Sequence, residues 1–137
     1  MLRRIAIGVL LCVATVALAQ TDGWVQVAVS ADGSDTYSIK LHSGERTQNK
    51  QGQNITVVVG QDNDNARQSV QIEKWYVTES DCQLGYGDLV FLDINGNYVG
   101  EAPFASGSKN IGSAIAAAIC AAGSSVQSKG ISNNVQS

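Results

Sequence analysis

Two cysteines, Cys82 and Cys120, constrain this chain more than any other feature. The third, Cys12, lies inside an apolar N-terminal run that reads as a removable leader. An even pair in an exported chain is most simply a disulfide. Cys82 follows a strand-like segment and Cys120 closes an alanine-rich helical one, so the bridge would clamp a C-terminal helix onto a β-sheet. Few arrangements of so short a chain satisfy that tie.

The leader reading rests on three parts. Arg3 and Arg4 give a positive start, Ile5 to Leu18 is apolar, and Ala17-Leu18-Ala19 is a small-x-small site before Gln20. The run is too short for a bilayer span of about 20 residues. Leu11 is too large for lipoprotein processing at Cys12. The sequence therefore predicts three parts: a signal peptide over 1–19 cleaved after Ala19, a domain over 20–123, and a disordered tail over 124–137. Removing 19 of 137 residues leaves 118, enough for one small domain. Seven basic against 12 acidic residues put the mature net charge near −5. That balance, without basic clusters, argues against nucleic acid or anionic lipid as partner.

Period-two alternation marks the strands. Trp24 to Val29 and Thr36 to His42 form one hairpin around the Asp32–Asp35 turn. Ser43 to Gln53 reads as a polar loop with a mobile tip. Asn54 to Gly60 is a β-branched strand, Gln61 to Asn65 a turn, and Gln68 to Thr78 a strand with an imperfect pattern at Glu73 to Val77. There, either both faces are covered or a bulge shifts the register. Asp88 to Ile94 leads through Asn95-Gly96 into the strand begun by Asn97-Tyr98-Val99 and ended by Pro103, since Asn-Gly is a strong type I′ hairpin signal. Ser106 to Ala122 changes to a helical period, with Ile111, Ile115 and Ile119 four apart, Ser108 as N-cap and Gly123 as stop. The expected fold is α+β, about six antiparallel strands with a C-terminal helix packed on them and tied by the disulfide. On an ideal helical wheel Cys120 lies about 140° from the isoleucine stripe. The bridge therefore needs a loosened helix end or a neighbouring loop at the helix's edge.

The ordered set Trp24, Tyr37-Ser38-Ile39, Ile55 to Val59, Asp81-Cys82, Gly85-Tyr86, Gly107-Ser108 and Ile119-Cys120 resembles the surface-adhesin protein E family of small bacterial envelope proteins. The likeness covers nearly all of Trp24 to Cys120. It implies a six-stranded antiparallel sheet with a disulfide-tied C-terminal helix. It also implies a non-enzymatic secreted or periplasmic domain that binds host or envelope macromolecules. The chain lacks a lipid-anchoring cysteine and is low in lysine and arginine, so the cysteine pair carries over and no binding residue does.

No catalytic set assembles. His42, the only histidine, lies on a polar strand face, and Ser43, Asp32 and Asp35 are neighbours in sequence only. One histidine without a free thiol makes a poor zinc site. Asp62-Asn63-Asp64-Asn65 opens like a calcium loop with Glu73 at the twelfth position, but Ala66 and Arg67 replace the third ligand and the glycine. Asn54-Ile55-Thr56 is a glycosylation sequon that reads as a strand start. Asp88 and Asp93 stand on opposite faces, wrong for a glycosidase pair. The expectation is a binding domain with no cofactor and no metal, a protein partner (a homodimer included) and no membrane span. The alternative is an inhibitor or accessory protein of an envelope enzyme acting through Ser43 to Gln53. Trp24, Trp75, Tyr76, Tyr86 and Tyr98 are packing residues unless several are exposed together, which would make a protein-binding patch.

Overall fold

A computed structural model describes residues 23–134, with side chains described to residue 126. The leader reading therefore lies outside the described residues. The elements in chain order are β1 (Trp24–Val29), β2 (Asp35–Lys40), β3 (Glu45–Gln48), β4 (Asn54–Asp64), β5 (Ser69–Thr78), α1 (Glu79–Leu84), β6 (Tyr86–Leu92), β7 (Tyr98–Ala105) and α2 (Ile111–Asn134). Among the described residues the seven strands form one antiparallel sheet, in the order β1-β2-β4-β5-β6-β7, with β3 also paired to β4.

β4 is the spine. β5 pairs with it along its whole length, from Ile55↔Thr78 to Asp64↔Ser69. Its other flank is shared by β2, from Gly60 to Asp64, and β3, from Asn54 to Val57. Between those partners the chain bends at His42, whose φ is 62°. The Ser43 hydroxyl accepts a hydrogen bond from the Val59 amide at 3.0 Å, satisfying a backbone donor in the gap.

Several sequence expectations need correction. Ser43 to Gln53 is no mobile loop, because β3 pairs with β4 and Asn49 Oδ1 accepts from the Gln51 and Gln53 amides at 3.1 and 2.9 Å. Gln61 to Asp64 extends β4, so the turn begins at Asn65. β5 has no bulge; the register shifts fall instead at Gln26/Ala28 and Phe91/Leu92. Pro103 lies within β7, and an outer strand tolerates it because one side of that strand needs no ladder donor.

The core lies between α2 and one face of the sheet. Val58, Trp75, Val77, Leu89 and Phe104 meet Ile115, Ala116 and Ile119. Tyr37 and Phe91 flank Trp75 with ring centroids 6.3 and 6.0 Å away. Helix α2 starts at Ile111, with Asn110 as its cap in place of Ser108: the Asn110 carboxamide oxygen accepts from the Ser113 amide at 2.7 Å. Gly123 does not stop the helix, which runs on to Asn134 through most of the stretch expected to be a disordered tail. Instead Gly123 is where α2 touches the sheet, since a Cβ there would collide with Thr56. No helix among the described residues is long and apolar enough to cross a membrane.

The Cys82–Cys120 disulfide is present, with Cα atoms 5.6 Å apart. Cys82 sits on α1, a helical turn that the sequence reading missed. Thr78 caps it by accepting from the Asp81 amide at 3.1 Å, and Gly85 ends it with φ 80°. This resolves the wheel problem. The bridge leaves the flank of α2 toward α1 beside the sheet, so α2 keeps its isoleucine stripe on the sheet and needs no loosening.

Candidate functional site

Side chains alternate between sheet faces, so the face away from α2 carries the other half of each strand. In β4 those residues are Ile55, Val57 and Val59; in β5, Val70, Ile72, Lys74 and Tyr76; in β6, Val90 and Leu92. Ile55 and Val90 are buried there, Val57, Val59, Lys74, Tyr76 and Leu92 are half-buried, and Val70 and Ile72 are exposed; α2 lies on the other face. A parallel or fully covered strand reads as a continuous apolar run, and Ile55 to Val59 reads that way. Only one of its faces receives a helix.

The open face is hollowed into a cleft of about 360 Å³. Ile55, Val57, Tyr76 and Leu92 form its floor, and Tyr98 stands beside it at the start of β7. One wall is the β3–β4 hairpin with Gln48, Asn49, Lys50 and Gln51. The other is the β6–β7 turn near Gly96. Both walls are braced internally. Asn49 holds its own hairpin, and Asp93 Oδ1 accepts from the Asn95 and Asn97 amides at 2.9 Å each. Hydrogen bonding from Asn97 holds the Asp93 carboxyl below its ordinary value. The ionisable lining groups are Glu45, Lys50, Lys74 and the two tyrosines. The cleft thus offers an apolar, aromatic floor with an amide and ammonium rim. It offers stacking and hydrogen bonds, and it contains no paired acid and base or nucleophile with a base.

The residues singled out by sequence scatter. His42 is exposed at the β2–β3 bend, beyond the end of the strand it was assigned to. Asp62 and Asp64 are strand residues on the α2 side, with Asp35 opposite Asp64 in register. There burial, then Asp35 and Asp64, raise Asp62 above its ordinary 3.8, and burial raises Glu73 against the hydrogen bond from the Trp75 indole. Among the described residues no group of three or more His, Cys, Asp or Glu is placed to hold a metal ion. Trp75 is core, whereas Tyr86 and Tyr98 are exposed at opposite ends of the β6–β7 pair. The structure brings Tyr76 and Tyr98 together and leaves Trp24 and Tyr86 elsewhere. Sequence reasoning named Ser43 to Gln53 only as the acting loop of the inhibitor alternative and missed Leu92 and the cleft that this hairpin walls; the two-faced apolar run of β4 was the available signal for that face.

Comparison with protein-family models, with curated proteins and with solved structures returns no match.

Proposed function

We propose that this chain is an exported, non-enzymatic binding domain of the surface-adhesin protein E type, which holds a protein partner in the cleft on its open sheet face. One observation carries the reading: from Ile55 to Val59 β4 carries apolar residues on both faces, and the face without a helix is hollowed between two braced walls. Protein recognition sites favour tyrosine anchors in an apolar centre with a polar rim, and this cleft has that order. The amide-rich hairpin suits hydrogen bonding to an extended segment whose side chain enters between Tyr76 and Tyr98.

A photo-crosslinking residue placed at Tyr98, with one at Tyr86 as control, tests the reading against envelope extract and host matrix proteins. The expected result is a discrete protein adduct from position 98 and none from position 86, lost when Lys50→Glu is added. Equal labelling from both positions, or no adduct from position 98, refutes the cleft as the site. Capture of a single hydrolase through the β3–β4 hairpin would replace this reading with an inhibitor or accessory role.

A further inference from the structure

One lysine in the cleft restricts what can cover it. Lys74 rises from β5 on the open face. Its cross-strand neighbours are Val59 on β4 and Leu92 on β6. Along its own strand the residues on the same face are Ile72 and Tyr76. Three aliphatic side chains and a tyrosine therefore surround it, and none can balance its charge. Lys74 is half-buried, and among the described residues it has no ion-pair partner, the bridges there being Arg46–Glu79 and Arg67–Asp64. Glu45 lines the same cleft but is exposed on β3, with β4 between its strand and β5.

In the open cleft water reaches the Lys74 ammonium. A partner that covers the face displaces that water, and covering an ammonium with apolar surface is strongly unfavourable unless an anion arrives with it. A segment bearing a carboxylate gains a charge-assisted hydrogen bond at the same point. Lys74 therefore rejects neutral apolar segments as well as attracting acidic ones. Lys50, exposed on the hairpin wall, stays hydrated and only steers the approach. Register also sets a spacing. Tyr98, Leu92 and Lys74 are successive partners in one row from β7 to β5. Two strand spacings of about 4.8 Å place Tyr98 and Lys74 about 10 Å apart, the length of about three extended residues.

We infer, on the protein-binding reading of the cleft, that it selects an acidic extended segment of the partner. An apolar or aromatic side chain of that segment packs between Tyr76 and Tyr98. An Asp or Glu about three residues away pairs with Lys74.

A displayed library of random peptides, panned against the disulfide-bonded mature chain, tests the assignment, with affinities of the enriched peptides read by fluorescence anisotropy. Those peptides should carry Asp or Glu near an apolar or aromatic residue and should lose binding to Tyr98→Ala. Lys74→Met keeps the apolar stem and removes the charge. Changing the peptide's acid to its amide should weaken binding to the unsubstituted protein about tenfold or more, and to Lys74→Met less than about twofold. Lys74→Met should also raise the urea midpoint of the free protein, since it takes a charge out of apolar surroundings. Lys109→Met, on the exposed connection between β7 and α2, should leave both readings unchanged. Peptides that depend on Tyr98 but need no acid, or whose acid still matters in Lys74→Met, would overturn the inference while leaving the cleft a protein site. A lowered midpoint in Lys74→Met would also overturn it, because a neighbour would already balance the ammonium. Enrichment of no peptide sensitive to Tyr98→Ala would overturn both the inference and the cleft reading.

Discussion

Gly60 shows how one hydrogen atom in place of a methyl can hold a core together. It sits on β4 opposite Glu73, and a Cβ there would run into the Trp75 ring. Trp75 is 1% exposed and cannot swing away. Gly60→Ala should therefore cost about 2–3 kcal/mol, read as a lower urea midpoint at unchanged slope. An unchanged midpoint would mean that the indole has room to move. Gly60 stands at the end of an apolar run and reads in sequence as a strand terminus; that it serves a ring on the next strand depends on register. The same holds for Gly123, a helix stop by local rules and a contact point in three dimensions. Acidity acts at this scale too. Asp62 and Glu73 titrate above their ordinary values when folded, so the folded state takes up protons more readily than the unfolded chain. The stability this contributes is fully present below about pH 4 and is lost as pH rises through their folded values. Lowering pH from 7 toward 4 should thus raise the urea midpoint, and Asp62→Asn with Glu73→Gln should flatten that slope. A slope unchanged in the double variant would exclude these two groups. Asp32, held at about 2 chiefly by its hydrogen bond from Ser34, works the other way, losing its contribution only in stronger acid.

At the scale of elements, α2 depends on its attachments. Gly112 weakens it by about 1 kcal/mol relative to alanine, yet a Cβ at Gly112 would press on the Pro103 carbonyl oxygen at 3.0 Å. The weakness is the condition of close approach to β7. Ser113 adds a tie there, its hydroxyl accepting from the Ala105 amide at 3.0 Å. At the other end the disulfide spans a sequence separation of 38, which in the chain-entropy account stabilises the fold by about 4 kcal/mol. Reduction should expose the α2 amides to hydrogen exchange before those of β4 and β5, because the sheet's own ladder remains. Simultaneous loss of protection in helix and sheet would show instead one cooperative unit. The pairing of Cys82 with Cys120 was legible from sequence, as was α2 itself. The short α1 that carries Cys82 was not, since six residues give no periodicity to read and its signals are a threonine cap and one left-handed glycine.

Over the whole molecule, the meander was readable because its hairpin turns are written in Asp, Asn and Gly. The seventh strand was not, since Glu45 to Gln48 is polar throughout and becomes a strand only by lying along β4. The candidate cleft was hidden for the same reason: its floor comes from three strands and its walls from two turns, and only the two-faced run of β4 hinted at it. The outer edges of the sheet also carry meaning. β1 is short and bulged beside Val27, and β7 carries Pro103, two devices that discourage edge-to-edge pairing. Pro103→Thr should increase self-association at high concentration, seen by sedimentation velocity. A monomer unchanged at every concentration would assign the protection to the neighbouring helix start.

The position of the bridge in the chain also sets an order of events. Every strand precedes Cys120, so a ribosome moving at about 5–20 residues per second makes Cys82 roughly 2–8 s before its partner. Closing the bridge needs α1 and α2 side by side, so the geometry that the sheet gives α1 favours the Cys82–Cys120 pairing.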